Sequence, residues 1–261
     1  MRIDVAFGPH GLVAAELTGR TVMVIDVLRA TTTICAALDA GARAVIPVGS
    51  MDEALRLVQT LDSRDVLLAG ERNCDPIPGF PLGNSPRQMT PEAVAGRTIV
   101  MTTTNGTRAL LAAAPAGAVF VAAAVNLAAA GAQARRALEE QADLLVVCAG
   151  REQAFSLDDA YTAGRLILEA LGGRRIRKGL NDGALMSVDL ARRYGPRFDR
   201  PLAVSASGRQ LRSQGYAEDI AYAATVNRHP VLPVFHDRRI TVMAGPESVP
   251  SASPPAPGPG G

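Results

Sequence analysis

Over its first 150 residues the chain alternates short β-branched apolar runs with amphipathic or alanine-rich segments, and the alternation repeats about every 20–25 residues, the rhythm of stacked βα units. Strands are predicted near 21–27, 44–48, 65–70, 98–103, 118–124 and 143–149, with helices over 31–40, 52–61, 106–114 and 127–141 between them. The strand runs are continuously apolar rather than alternating, so both sheet faces should be covered by helices. That is a three-layer α/β/α architecture with a largely parallel sheet. After Cys148 the pattern turns helical over 157–171, 184–193, 205–214 and 217–226. Two short apolar runs at 231–235 and 240–243 then read as strands returning to the sheet.

This organises the chain into a βα-repeat core (1–150) carrying most of the polar strand ends, and a helix-rich second half (151–244) packing on it. A Pro/Gly/Ser tail (245–261) has almost nothing to bury and is expected to be disordered. With 261 residues, 48% of them hydrophobic, the chain can bury one large core or two smaller ones. One connection breaks the rhythm. Residues 72–86 carry too many Pro and Gly for a helix, and long irregular loops of this kind serve as lids or site walls.

Composition removes several function classes. A net charge of +2 without a concentrated basic stretch, no Trp, four Tyr and six Phe argue against a nucleic-acid surface. No apolar run reaches the roughly 18–20 residues of a membrane helix, and the N-terminus lacks a signal-peptide core, so a cytoplasmic protein is expected. Three widely spaced cysteines without a CxxC suggest neither a disulfide framework nor a zinc site. There is no P-loop, no nucleophile elbow and no Arg six positions after a Cys; His10, His229 and His236 are scattered. A haloacid-dehalogenase-type route is demoted because Leu28 stands where its second Asp belongs.

The polar residues collect at strand ends, where open parallel sheets bind ligands. The first end offers Asp26, Arg29 and Thr31, Thr32 and Thr33; another Glu71 and Arg72; another Thr102 to Thr107 through Asn105-Gly106; another Gly150-Arg151. Threonines entering a helix can seat an anion with the helix N-terminus, or simply cap the helix. Asp26 and Glu71 can hold a hard cation such as Mg²⁺, or pair with Arg29 and Arg72. Asp158 and Asp159 can cap the following helix, or Asp158 can reach over as a further ligand. The economical chemistry for such a set is Mg²⁺-assisted attack of water on a phosphate ester.

These segments resemble the 2-phosphosulfolactate phosphatase (ComB) family over about Thr21 to Phe235. The resemblance is carried by Val24-Ile25-Asp26-Val27-Leu28-Arg29-Ala30-Thr31-Thr32-Thr33, Ala69-Gly70-Glu71-Arg72, Gly79-Phe80-Pro81-Leu82-Gly83-Asn84-Ser85-Pro86 and Thr103-Thr104-Asn105-Gly106-Thr107. Val147-Cys148-Ala149-Gly150, Ser156-Leu157-Asp158-Asp159, Gly208-Arg209-Gln210-Leu211 and Asp219-Ile220 extend it. It implies an Mg²⁺-dependent hydrolase that converts (2R)-2-phospho-3-sulfolactate to 3-sulfolactate in coenzyme M biosynthesis. The chain departs from the family pattern at Asp158, where the family has Glu, and at Asn73-Cys74, where it has two glycines. The second departure alters a pocket wall and leaves another small phosphorylated hydroxy acid open as substrate.

The resulting expectations are specific. Asp26, Arg29 and Glu71 are the catalytic candidates; Asp26 and Glu71, with Asp158 or Asp159, hold Mg²⁺. Thr31, Thr32, Thr33, Arg72, Asn84, Ser85, Thr104, Asn105, Gly106, Thr107 and Arg151 contact substrate. Arg29 is expected to matter for binding and little for stability. Partners are a small anionic phosphorylated substrate, no nucleic acid and no membrane, with either a monomer or a homo-oligomer. Two rivals stand beside this reading: a covalent route with Asp26 as nucleophile, and a non-catalytic polyanion-binding protein.

Overall fold

The computed structural model describes residues 1–61, 65–116, 118–152, 154–174 and 179–243, so the tail expected over 245–261 lies outside the described residues. In chain order the elements are β1 (Ile3–Ala6), α1 (Ala14–Leu17), β2 (Thr21–Ile25), α2 (Ala30–Asp39), β3 (Ala44–Pro47), α3 (Met51–Thr60), β4 (Val66–Arg72) and β5 (Asp75–Pro76). Then come α4 (Pro91–Val94), β6 (Thr98–Thr102), α5 (Gly106–Ala113), β7 (Ala118–Ala122), α6 (Leu127–Glu139), β8 (Leu144–Cys148), α7 (Leu157–Leu171) and α8 (Asp182–Tyr194). The chain continues through α9 (Asp199–Val204), α10 (Ala206–Ser213), α11 (Ala217–Ala223), β9 (Pro233–His236) and β10 (Arg239–Val242).

All ten strands form one mostly parallel sheet in the order β1-β8-β2-β7-β9-β10-β3-β6-β4-β5. The fold class is therefore α/β with helices on both faces, as the continuous apolar runs require: β2 and β8 are buried at every position. The two C-terminal runs do return to the sheet. They form an antiparallel hairpin inserted at its middle, between a parallel block β1-β8-β2-β7 and a second parallel block β3-β6-β4.

That insertion decides where the strand ends go. Three successive antiparallel pairings separate the blocks, so on a flat sheet the carboxyl ends of β2 and β6 would lie at opposite edges. The sheet is not flat. Helix α5 packs against β2 and β8 of one block and β3 of the other. Eight residues of helix span about 12 Å, whereas five strand spacings from β8 to β3 cover about 24 Å. The sheet must curl around α5, and α2 likewise touches β7, β9 and β3. The curl turns the carboxyl ends of the two blocks towards each other.

The other faces are covered conventionally. Helices α6 and α7 pack over β2 and β8, and α7 crosses α8 closely at Gly164, where a Cβ would lie 1.9 Å from the Ser187 carbonyl oxygen. Helix α3 covers the second block through a smaller cluster built on Ile46, Val48, Ala54 and Val100. The main apolar cluster runs from Ile3 to Ile240 and draws on both halves of the chain. No described helix is long and apolar enough to cross a membrane.

Candidate active site

The facing strand ends form a polar pocket, open to solvent, lined by Asp26, Arg29, Glu71, Asn84, Asn105 and Arg151, with Asn73, Cys74, Thr104 and Gln210 among its other walls. Its tightest point lies between the blocks. A Cβ on Gly106, at the start of α5, would sit 2.5 Å from Ala30 Cβ and 2.6 Å from Asp26 Oδ2, so only glycine lets α5 approach β2 this closely.

Asp26 stands at the end of β2 with little holding its side chain: Oδ1 accepts the Ala30 N–H at 3.3 Å. Burial, then the neighbouring Glu71 charge, pushes its carboxyl up to about 7, with Asp158 adding to the rise and the Ala30 N–H and Arg29 opposing it. The folded chain thus keeps this proton more tightly than the unfolded chain does. The group's contribution to stability is complete below the ordinary carboxylate range and is lost as pH rises through about 7. In the presence of a chelator, the Tm difference between wild type and Asp26→Asn should therefore shrink or invert from pH 5 to pH 8; parallel curves would contradict the assignment.

Glu71 is held on all sides. Its Oε1 accepts the Thr104 N–H at 2.6 Å, and Oε2 accepts the Cys74 N–H at 2.7 Å and the Thr104 hydroxyl at 3.1 Å. Thr104, expected at an anion seat, thus spends both donors fixing this carboxylate. The Cys74 contact comes from a two-residue hairpin between β4 and β5, in which Asn73 (φ 53°) and Cys74 (φ 73°) both take left-handed conformations. A two-residue hairpin loop of this kind favours Asn or Gly, which explains why a glycine pair suits the position. Burial pushes the Cys74 thiol up to about 11, so it faces the pocket neutral.

The loop 72–86 is a wall rather than a lid. Leu82 bridges Ala69 alongside β4, and the Gly70 N–H donates to the Leu82 carbonyl at 3.2 Å. Its end presents Asn84, whose buried Oδ1 has no hydrogen-bond partner. Ser85 turns away and donates its hydroxyl to Asp219 Oδ1 at 2.7 Å.

Arg29 lines the pocket but is not free. It donates from Nη1 to Asp219 Oδ2 at 2.8 Å and from Nη2 to the Cys74 carbonyl at 2.9 Å, and its guanidinium lies 4.4 Å over the Tyr216 ring. It pairs with neither Asp26 nor Glu71, and its buried ion pair corrects the expectation that it matters little for stability. Arg151 faces the pocket from the β8 end, donating to Gln210 Oε1 at 3.0 Å.

Several expected contacts instead hold the scaffold. The hydroxyls of Thr31 and Thr32 donate to the carbonyls of Asp26 and Val27 at 2.8 Å each, and Thr33 donates to the Asn84 carbonyl at 3.0 Å. Thr107 and Thr103 cap each other, with the Thr107 N–H donating to Thr103 Oγ1 at 3.0 Å and the Thr103 N–H to Thr107 Oγ1 at 3.1 Å. Arg72 donates to the Glu71 carbonyl and to Thr102 Oγ1, behind the pocket wall. These side chains shape the walls without lining them.

The aspartates of α7 do the same. Asp159 accepts the Val27 N–H at 2.9 Å and the Gly150 N–H at 3.0 Å, tying the ends of β2 and β8 together, while burial pushes its carboxyl well up. Asp158 accepts from the hydroxyls of Ser156 and Ser207, and burial raises it too. Neither lines the pocket. Among the described residues no group of three or more His, Cys, Asp or Glu is arranged to hold a metal ion.

Asp219, Ser207 and Gln210 are the residues that strand-end reasoning passed over. They lie in α10 and α11, far along the chain; Gln210 and Asp219 fall in segments that carry the family resemblance, and Ser207 falls just before one.

A family model described as 2-phosphosulpholactate phosphatase matches residues 8–238. A relative from Symbiobacterium thermophilum, named as a probable 2-phosphosulfolactate phosphatase, is 41% identical over 230 residues, covering 88% of this chain and 97% of the relative. Similarly named proteins are 39% identical over 239 residues in Thermus thermophilus (91% and 95% covered) and 42% identical over 217 residues in Deinococcus radiodurans (82% and 86%). The match spans most of the chain and every residue that lines the pocket, and on that ground the chain belongs to the 2-phosphosulpholactate phosphatase family.

Proposed function

We propose that the chain hydrolyses (2R)-2-phospho-3-sulfolactate with water to 3-sulfolactate and inorganic phosphate, using a divalent cation, Mg²⁺. The observation that carries this reading is the opposition in one pocket of two buried carboxylates, Asp26 and Glu71, to two arginines, Arg29 and Arg151. A substrate bearing phosphate, sulfonate and carboxylate needs more cationic donors than a lone phosphate does, and a cation needs the acids.

The donor set fits a hard cation. Asp26, Glu71 and the partnerless Asn84 Oδ1 are all oxygens. Mg²⁺ is commonly held by one or two carboxylates together with substrate phosphate oxygens and waters, a number that Asp26 and Glu71 can supply. When bound, it would neutralise and polarise the phosphoryl group.

The chain's own residues supply the rest. Arg29 and Arg151 bind and orient the anionic oxygens. Glu71, fixed by three donors, keeps its position through the reaction. Asp26, the less tightly held of the two carboxylates, is the group placed to accept the proton of the attacking water. The free thiols Cys35 and Cys148 are buried, which fits a cytoplasmic setting.

The Asn73-Cys74 turn changes one wall, which supports a related phosphorylated hydroxy acid as the second reading of the substrate. The test is phosphate release from a panel of phosphorylated C3 and C4 acids, with and without chelator. The expected result is cation-dependent release with 2-phospho-3-sulfolactate as the best substrate; no release from any member would leave a polyanion-binding protein in its place.

A further inference from the structure

The mechanism uses Arg29, and of the residues that line the pocket only Cys74, through its carbonyl, holds that guanidinium. The rest of its aim comes from outside. Asp219, on α11, is 1% exposed and lies 190 residues from Arg29 in sequence. Its two oxygens serve two different arms of the site: Oδ2 accepts from Arg29 Nη1 at 2.8 Å, and Oδ1 accepts from Ser85 Oγ at 2.7 Å. Ser85 is the neighbour of Asn84, a pocket-lining residue whose buried Oδ1 has no hydrogen-bond partner. Tyr216, just before α11, covers the guanidinium face.

We infer that Asp219 is a positioning residue for the phosphatase reaction, one buried carboxylate that sets both the cationic donor arm (Arg29) and the oxygen acceptor arm (Asn84, through Ser85). The chemistry suits the task. A guanidinium has five N–H donors; Asp219 and the Cys74 carbonyl take one each, so the rotation of the fork is fixed while donors remain for the substrate. Asp26 and Glu71 are left unpaired by Arg29 because Asp219 supplies its counter-charge from behind. A single acid at this position therefore keeps the two pocket carboxylates available and the arginine pointed at the anion. Substrate reaches Asp219 at no point; it acts through Arg29 and Ser85.

The inference rests on the proposed anion-binding role of Arg29, and its test separates the two. In Asp219→Asn, which keeps the side-chain shape, KM for the phosphorylated acid should rise about tenfold, the scale of one charge-assisted hydrogen bond, and inorganic phosphate should bind correspondingly more weakly by calorimetry. In an Arg29→Ala background the same substitution should change neither quantity further, because asparagine keeps an oxygen to accept from Ser85 and loses only the charge that faces Arg29. A folded Asp219→Asn with unchanged KM and phosphate affinity, or effects that add in the double variant, would overturn the inference. If Asp219→Asn does not fold, Ser85→Ala, which leaves both charges in place, takes its role: an unchanged KM and phosphate affinity there overturns the inference, and a rise of a few-fold in both supports it. Calorimetry with phosphate reads Asp219 even if wild type released no phosphate from the acid panel, so failure of the functional reading is seen separately.

Discussion

Asp26→Asn should lower phosphate release by about 10²–10⁴-fold, the range over which a positioned proton acceptor contributes, without destabilising the protein. The two halves of that expectation come from one environment. Asp26 is buried beside Glu71 and accepts only one hydrogen bond, at 3.3 Å, so its charge is costly in the folded state. Asparagine keeps the shape and the space that Gly106 leaves, and removes a charge that burial and the neighbouring Glu71 make costly. Above about pH 7, and with chelator present, the variant should melt at or above the wild-type temperature. A single turnover in ¹⁸O-water adds the mechanistic reading: label in the released phosphate and none in the Asp26 carboxyl agrees with direct attack, and label lodged in Asp26 contradicts it. An Asp26→Asn enzyme with near wild-type turnover would remove Asp26 from the chemistry.

Arg29→Ala is expected to fail twice. Binding of the phosphorylated acid should weaken by about 1.5–3 kcal/mol, the value of a charge-assisted hydrogen bond. Stability should fall as well, by about 3–5 kcal/mol, because Asp219 would be left buried with no counter-charge. The signature is the repair: Arg29→Ala/Asp219→Ala removes the stranded charge and should melt higher than Arg29→Ala alone while binding no better. Thermal melts and calorimetry on the single and double variants check both parts. A single variant that binds poorly yet melts like wild type would mean that the ion pair at 2.8 Å contributes nothing to the fold.

The contrast between Arg29 and the threonines says where sequence reasoning reached and where it stopped. Strands β2, β3, β6, β7 and β8 were legible because they are continuous apolar runs with polar ends. Strand β1 was missed: Ile3-Asp4-Val5-Ala6 is short and half-buried at alternate positions, too weak a pattern against its surroundings. The curl of the sheet was not legible either, since the insertion point of β9 and β10 is set by pairings far apart in sequence. Which residues gather at the pocket was largely visible from strand ends, and Asp26, Glu71 and Arg151 do meet there. What a polar side chain does there was not. The same Thr-rich composition serves an anion seat or a set of local caps, and the hydroxyls of Thr31, Thr32 and Thr107 donate to carbonyls four or five residues back. Arg29 finds its acid on α11, a partner that no local spacing announces.

The most direct test of the account is a crystal structure of the protein soaked with Mg²⁺ and 3-sulfolactate. The account expects the cation on the carboxylates of Asp26 and Glu71, with the acid groups of sulfolactate against Arg29 and Arg151. A cation or ligand bound elsewhere, with Asp26 and Glu71 touching neither, would contradict it.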